Sequence, residues 1–459
     1  MAGIGFELRK IYGKKTLASN VWGTVYATMT TVGPSIMFAS LLLVLKYAMD
    51  YANISELESR FFISSFTYVS LVSIVVSAIF NTIVSRYVSD CIFEKRENDI
   101  CASVFGVMTS GSVVSGFIML CFCIAMHVKD QIPIEFLLIY YILGVLTTAA
   151  YNMMTYVSAM KQYTYVTISY FAGLIAGIIT YFICVYLLHI HIVMSAYIAL
   201  TTGFFLINFL MIIICVRAFG KPSDKCFDFL TYIFKHPKLL ISGSAYMTGF
   251  YITSIIYWNL SDISEQISIF KTSPNYDMAF FLAIIVNMPA LVIFVVKAET
   301  AFYEKYVAYL SALNKGTYRQ IEKERENISN TIRHQLFFIY EVQLIVVIVL
   351  VCLVNVLFPY INVSSQILNM FMVLSMGLYS AFCMYFTVVF LYYFDDQTGA
   401  CYGPVIFLVV SLCAALLFSY IGKPYYPLAI LLGGISGWIA AFLRLRKILL
   451  KLNAFLMCK

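Results

Sequence analysis

The chain has 459 residues, of which 62% are hydrophobic and 12% charged. A soluble domain carries about 25% charged residues, so this composition excludes a soluble globular chain and points to a polytopic membrane protein. The formal net charge of +7 does not indicate nucleic acid, because the basic residues sit in short loops between apolar runs, where they set orientation in a bilayer.

A hydrocarbon core about 30 Å thick takes about 20 helical residues at 1.5 Å each. Twelve runs meet that length: 21–45, 61–84, 101–126, 136–160, 162–188, 192–216, 239–260, 277–297, 336–358, 365–391, 402–421 and 427–443. The fold class expected is an all-α polytopic membrane protein with about 12 transmembrane helices. Before the first run, segment 1–20 places Ile4, Leu8, Ile11 and Tyr12 at helical spacing, with Arg9, Lys10 and Lys14 elsewhere. That is the pattern of a cytoplasmic amphipathic segment at the membrane interface; an ordinary basic flank is the alternative. No cleavable signal peptide is expected, because the first apolar run is too long and no small-residue site follows it.

The first run holds Thr28, Thr30, Thr31, Gly33 and Pro34. Proline removes a backbone hydrogen bond and kinks a helix, and threonine hydroxyls can satisfy the freed groups. A gate or cavity wall and a close helix packing are both open readings of this segment. The second run ends in Asn81, Arg86, Tyr87 and Asp90, with Arg86 and Asp90 one helical turn apart. The fourth holds Tyr151, Asn152 and Tyr156, and only Lys161 and Gln162 part it from the fifth.

At mid-chain, residues 217–238 are basic and punctuated by Gly220, Pro222 and Pro237. Arg217, Lys221, Lys225, Lys235 and Lys238 lie in it, with about six apolar runs on each side. It is expected to be a cytoplasmic hinge between a lobe over 21–216 and a lobe over 239–459. The seventh run carries Ser242, Gly243, Ser244, Tyr246 and Gly249, then Tyr251, Tyr257, Trp258 and Asn259. The eighth has Asn287 and Pro289, with Lys297 and Glu299 at its end. Tyr and Trp rings stack on sugars and amides bind hydroxyls, although the same aromatics also anchor helices at membrane interfaces. From 301 to 334 the chain leaves the membrane in a helical, densely charged insertion that offers a docking surface or a solvated hairpin.

Placing both termini in the cytoplasm puts 25 of the 30 Lys and Arg residues on the inside and 5 outside, namely Lys46, Arg60, Lys129, Lys271 and Lys423. That asymmetry supports twelve spans in the cytoplasmic membrane. Several chemistries are missing. Gly13-Lys14-Lys15-Thr16 ends like a phosphate-binding loop, but Leu8 stands where its first glycine belongs. No nucleophile elbow or zinc motif occurs. His189 and His191 are two apart and cannot share a helix face, and the cysteines lie mostly in apolar runs as expected free thiols. No enzyme activity, metal or cofactor is expected. No acidic or basic residue falls in the middle of a span. A charge there costs roughly 2.5–3.5 kcal/mol and is usually kept for ion coupling. A path lined by hydroxyls, amides and aromatics fits better than one built on a midplane carboxylate.

The opening Met1-Ala2-Gly3-Ile4-Gly5-Phe6-Glu7-Leu8-Arg9-Lys10 resembles the start of the PelG family, the membrane transporters of the Pel exopolysaccharide system. The resemblance continues through Gly33-Pro34, Arg86-Tyr87-Val88-Ser89-Asp90, Tyr246, Gly249 and Trp258. It extends to Asn287-Met288-Pro289-Ala290, to Glu299-Thr300-Ala301-Phe302 and to Tyr306. One departure stands out: where family members often carry an Asp-Lys pair in the seventh span, this chain has Thr253-Ser254. The resemblance implies the multidrug/oligosaccharidyl-lipid/polysaccharide flippase superfamily and two six-helix lobes around a central cavity. It implies a polysaccharide substrate rich in N-acetylgalactosamine-type sugars, partly deacetylated. It also implies a PelF-like cytoplasmic glycosyltransferase and PelD- and PelE-like membrane partners in biofilm matrix formation. The transport-path candidates are Thr31, Pro34, Asn81, Arg86, Asp90, Tyr151, Asn152, Tyr246, Tyr251, Trp258, Asn287, Pro289 and Glu299. The rival readings are a flippase for lipid-linked oligosaccharides or small molecules, and a membrane scaffold for the synthase.

Overall fold

A computed structural model describes residues 33–52, 54–160, 163–357, 360 and 364–457; side chains are described from residue 40, except at 157–160, 163, 299–300 and 456–457. The apolar runs become long helices. Eleven segments among the described residues are long and apolar enough to cross a membrane, beginning with Glu56–Phe93. The first expected span, 21–45, is described only from Gly33, where it enters α1 (Gly33–Tyr51). The other eleven expected runs each fall on one such segment, and the protein is a multi-pass α-helical membrane protein.

The described residues form two compact units. The first unit takes in residues 33–247 and 265–272. It contains α1, α2 (Glu56–Phe93), α3 (Glu97–Asp130), α4 (Ile134–Met160), α5 (Tyr163–Phe182, extended by a π-helical turn over Ile183–Leu187) and α6 (Ile192–Phe219). Helix α2 has 38 residues, so at 1.5 Å per residue it is about 57 Å long and must tilt in, or project from, a 30 Å core. Ser55 caps its start by accepting from the Glu58 amide at 3.3 Å, with Glu56 and Glu58 in the first turn facing the positive end of the helix dipole. Helix α4 packs against α2, α3 and α6. Helices α5 and α6 meet where a Cβ on Gly173 would lie 2.8 Å from the Gly203 carbonyl; without large side chains the backbones approach closely, as membrane helix pairs require.

The mid-chain linker is docked rather than loose. It runs from Gly220, which ends α6 at φ +81, through α7 (Thr231–Lys235) to the start of α8 (Pro237–Leu260). Phe229 is fully buried and meets the Phe80 ring at 6.4 Å. Tyr232 meets Tyr87 edge-on at 5.2 Å. Ser223 donates to the Asp99 carboxylate at 2.7 Å, alongside Arg96 at 2.7 Å.

A two-stranded antiparallel hairpin of β1 (Glu265–Ile267) and β2 (Phe270–Thr272) also belongs to the first unit. The chain on either side of it, 248–264 and from 273 onward, belongs to the second unit.

The second unit contains the end of α8, then α9 (Pro274–Asn287), α10 (Pro289–Ile293), a π-helical turn over Phe294–Glu299, and α11 (Thr300–Lys315). It continues with α12 (Tyr318–Leu357), α13 (Ser365–Tyr393), α14 (Gln397–Ile421), α15 (Leu428–Leu450) and α16 (Leu452–Met457). Helix α13 is the central one, packed by α9, α12, α14 and α15. Helix α15 reaches it through glycines: a Cβ on Gly434 would overlap Ser380 Oγ and lie 2.8 Å from the Gly377 carbonyl. The charged insertion is a helical hairpin made of α11 and the first turns of α12. It is held by buried Tyr309, Ile328 and Ile332. The Tyr309 hydroxyl donates to Asn453 at 2.7 Å, and Asn453 donates to Glu322 at 3.0 Å.

Candidate functional site

In a bilayer, polar side chains must find partners within the protein, so the places where they gather define what a transporter can offer a polar cargo. In the first unit they gather along the face shared by α2 and α4. Ser73, Ser77 and Asn81 recur every fourth residue on α2, and Thr148, Asn152 and Thr155 occupy the facing stripe of α4. Thr148 donates to Ser73 Oγ at 3.1 Å and Ser77 donates to the Thr148 carbonyl at 3.3 Å. Thr155 donates to the Asn81 amide oxygen at 2.7 Å.

Asn152 differs from its neighbours. It is 1% exposed, and neither its amide nitrogen nor its amide oxygen has a hydrogen-bond partner among the described residues. Gly111 of α3 makes room for it, since a Cβ there would overlap Asn152 Nδ2. Ser115, one turn along α3, is likewise buried without a partner. A buried amide without a protein partner carries a desolvation penalty of about 1–3 kcal/mol unless a ligand or water meets it.

Tyr151, the neighbour of Asn152, is half-buried. At one end of the seam Arg86 pairs with Asp90 at 3.3 Å, both about one-third exposed. The Tyr232 hydroxyl also bonds Asp90. Beside the linker, Lys95, Arg96, Glu97, Asn98, Asp99 and Ser223 line a polar cleft. Hydrogen bonds to Asp99 and Glu94 hold the Arg96 guanidinium above its ordinary pKa. Tyr246 lies half-buried on the part of α8 that belongs to this unit.

The second unit has its own polar centre. Asn287 is fully buried at the end of α9 and donates to the Ala283 carbonyl at 2.9 Å and the Ser375 carbonyl of α13 at 3.0 Å. Gln343 of α12 donates to the Asn287 oxygen at 3.3 Å. One turn away, Tyr340 and Thr387 share a 2.6 Å hydrogen bond, and Tyr379 donates to the Tyr340 carbonyl at 2.9 Å. Pro289 follows directly. It has no N–H to continue the helix, so α9 stops, and the Met288 amide turns to the Ile284 and Ile285 carbonyls. With the π-helical turn over 294–299, the regular α-helix of this span is interrupted at two points, a pattern frequent at functional sites.

Of the remaining candidates, Tyr251 packs its ring against Phe250 and Phe280. Trp258 is 3% exposed, and its indole N–H donates to both Asp277 oxygens at 3.0 and 2.8 Å. The Ser273 amide donates to the same carboxylate at 3.0 Å. Thr253 is buried and accepts from the Tyr276 hydroxyl at 2.9 Å. Thr31 lies outside the described residues, as do the side chains of Pro34 and Glu299. Of the candidates, Asn81 and Asn152 thus lie on the polar seam of the first unit, and Asn287 and Pro289 at the polar centre of the second. Sequence reasoning passed over Ser73, Ser77, Thr148, Tyr340 and Gln343. Their signal was present: a hydroxyl or amide every fourth residue in an apolar run marks a face that must meet another polar face.

The comparisons bear on the chain as a whole. The family model described as PelG, putative exopolysaccharide Exporter (EPS-E), matches residues 1–456. Among curated proteins, no sequence matches. Solved structures share the fold. An outward-facing multidrug resistance MATE family transporter of the MOP superfamily is similar at TM-score 0.64 and 12% identity, over 93% of this chain and 96% of that one. A MOP superfamily transporter from Pyrococcus furiosus is similar at TM-score 0.61 and 13% identity, over 93% and 96%. The eukaryotic MATE transporter AtDTX14 follows at TM-score 0.58 and 12% identity, over 93% and 98%. At these identities the likeness shows the fold, which is the two-lobed fold of the MATE transporters.

Proposed function

This chain belongs to the PelG family of exopolysaccharide exporters, and on that premise we propose that it carries a Pel-type exopolysaccharide across the cytoplasmic membrane for biofilm matrix formation. A PelF-like cytoplasmic glycosyltransferase supplies the polymer, with PelD- and PelE-like membrane proteins as further partners. Both termini face the cytoplasm, segment 1–20 lies along the inner interface, 217–238 is the hinge, and the 301–334 insertion is the docking surface.

The observation that carries the reading is the family match over 1–456. The buried polar groups agree with it in character. Hydroxyls and amides at Ser73, Thr148, Asn152, Asn287 and Gln343 are neutral and recur along spans without a mid-span charge. Neutral donors and acceptors suit successive sugar hydroxyls and acetamido groups, and they hold no residue tightly enough to stop a moving chain. The path draws on Thr31, Pro34, Asn81, Arg86, Asp90, Tyr151, Asn152 and Tyr246, and on Tyr251, Trp258, Asn287, Pro289 and Glu299. Trp258, tied to Asp277, positions the loop after α8. Pro289, beside Asn287, lets the span bend as cargo passes.

The test is cell-surface polymer, detected with an N-acetylgalactosamine-binding lectin, in cells with and without the chain while synthase activity is monitored. Loss of surface polymer with the synthase still active is expected. Unchanged surface polymer would refute the assignment and leave a flippase for lipid-linked oligosaccharides or small molecules as the reading to pursue.

A further inference from the structure

The β1–β2 hairpin is the least self-sufficient element of the first unit. Each strand has three residues, its register pairs Glu265 with Thr272, Gln266 with Lys271 and Ile267 with Phe270, and Ser268 in its turn has φ +60. A two-stranded hairpin of this size does not hold its shape alone. It is held by what it sits in.

Phe270 is 0% exposed. Its ring lies 5.0 Å from Tyr68, 6.0 Å from Phe61, and 6.2 Å from both Phe122 and Tyr140. Four rings from α2, α3 and α4 therefore wall one pit, and Phe270 fills it. The rim is polar. The Tyr68 hydroxyl donates to the Lys271 carbonyl at 2.8 Å and accepts from the Lys271 amide at 3.2 Å. Ser64 and Thr272 hydroxyls lie 3.4 Å apart. Lys129 donates to the Ser268 carbonyl at 2.7 Å, Ser268 donates to Asp130, and Arg60 pairs with Glu265 at 2.8 Å.

A pit of aromatic faces under a rim of hydroxyl and charged groups is the chemistry that receives a pyranose ring: flat C–H faces stack on the rings, and the hydroxyls bond the rim. We propose that this pit is a sugar subsite of the transport path and that the hairpin is its built-in plug, with Phe270 occupying the place of a sugar ring. The pit lies at the end of the unit that holds the start of α2, the end of α3 and the start of α4. The charge asymmetry of the loops makes this the outer end, so the plug guards the exit. The identity of the ring rests on the polysaccharide reading; the plug itself does not.

Two variants test the inference on the full-length protein in detergent or nanodiscs. In Phe270→Ala the internal competitor is gone. Because apparent affinity falls with the fraction of protein whose site is free, an N-acetylgalactosamine oligosaccharide should bind at least tenfold more tightly than to the unaltered protein. In Ser64→Cys/Thr272→Cys, oxidation ties the hairpin to α2 by a disulfide. The oxidised protein should lose oligosaccharide binding and, in cells, polymer export, and a reductant should restore both; either single cysteine should be insensitive to redox. Equal binding and export in the oxidised and reduced states would overturn the plug. Absence of oligosaccharide binding to a monodisperse Phe270→Ala protein would overturn the sugar subsite. If Phe270→Ala does not fold, the reduced double-cysteine protein serves as the folded reference, and the lock alone decides. Cells in which the unaltered chain exports no polymer would refute the export reading, while the binding arms would still decide the plug.

Discussion

Asn287 sits where the eighth span breaks, and its removal has a calculable cost. Asn287→Leu keeps the branching and number of side-chain heavy atoms and removes three hydrogen bonds. The bond to the Ala283 carbonyl is internal to α9 and does not tie helices together. The other two cross between helices, one to the Ser375 carbonyl and one from Gln343. Interhelical hydrogen bonds in membrane proteins average about 0.6 kcal/mol and reach about 1.7 kcal/mol. The substitution should therefore destabilise by about 1 kcal/mol, and by no more than about 3 kcal/mol. The soluble-protein penalty for a buried unpaired group, about 1–3 kcal/mol each, sets that upper range. The assay is reversible unfolding in mixed micelles for Asn287→Leu, Gln343→Leu and the double variant. Because the two side chains share a bond, the cycle should show a coupling of about 0.5 kcal/mol or more. Asn355→Leu is the control, since among the described residues the Asn355 amide donates within its own helix, to the Val351 carbonyl, and it should cost less than either single. Additive effects, or an Asn355→Leu cost equal to that of Asn287→Leu, would refute the claim that this cluster holds the broken span.

Asn152→Ala should be neutral or stabilising in the same assay, because it removes two buried polar atoms that have no partner among the described residues, yet it should lower export several-fold; a large loss of stability would show that the amide is bonded within the protein. Gly434→Val should abolish a monodisperse protein in detergent, because the added atoms meet Ser380 Oγ and the Gly377 carbonyl, whereas normal yield would show that α13 and α15 are free to part. Burial raises the Asp262 carboxyl pKa, but hydrogen bonds from Tyr426 and Lys423 outweigh that and hold it below its ordinary 3.8. Its contribution is therefore full above the unfolded value and lost as pH falls through the lowered folded value. Protection of the 261–264 loop in hydrogen exchange should be flat above about pH 4 and fall below it, and Asp262→Asn should lose that protection at every pH. Reversing the exposed charges Arg319 and Lys323 to Glu should leave stability within about 0.5 kcal/mol and reduce co-purification of the cytoplasmic synthase; unchanged co-purification would remove this hairpin as the docking surface.

Eleven of the twelve expected spans were legible because a bilayer enforces one simple rule on length and polarity, and Arg, Lys, Gly and Pro punctuate this chain where helices end. The break at Pro289 was not foreseen: 277–297 was read as one continuous run, although a proline without an N–H acts locally. The seam was half legible. Asn81 and Asn152 attract notice as amides in apolar runs, whereas Ser73, Ser77 and Thr148 look ordinary until α2 and α4 are laid together. Gln343 was overlooked although it is an amide inside an apolar run, next to Val342 and Leu344. The hairpin was not legible. Its strands are three residues long, and the rings that hold Phe270 come from Phe61, Tyr68, Phe122 and Tyr140, more than a hundred residues away in the chain. Trp258 illustrates the remaining difficulty: its composition context suggested a sugar-stacking ring, and its indole N–H is in fact committed to Asp277.

The most direct test of export uses inside-out membrane vesicles that contain the chain and the glycosyltransferase, supplied with UDP-sugar from outside. The account predicts that polymer accumulates inside the vesicles, protected from an added glycosidase, and that without the chain the same amount of polymer is made but stays digestible. Equal protection with and without the chain would contradict it.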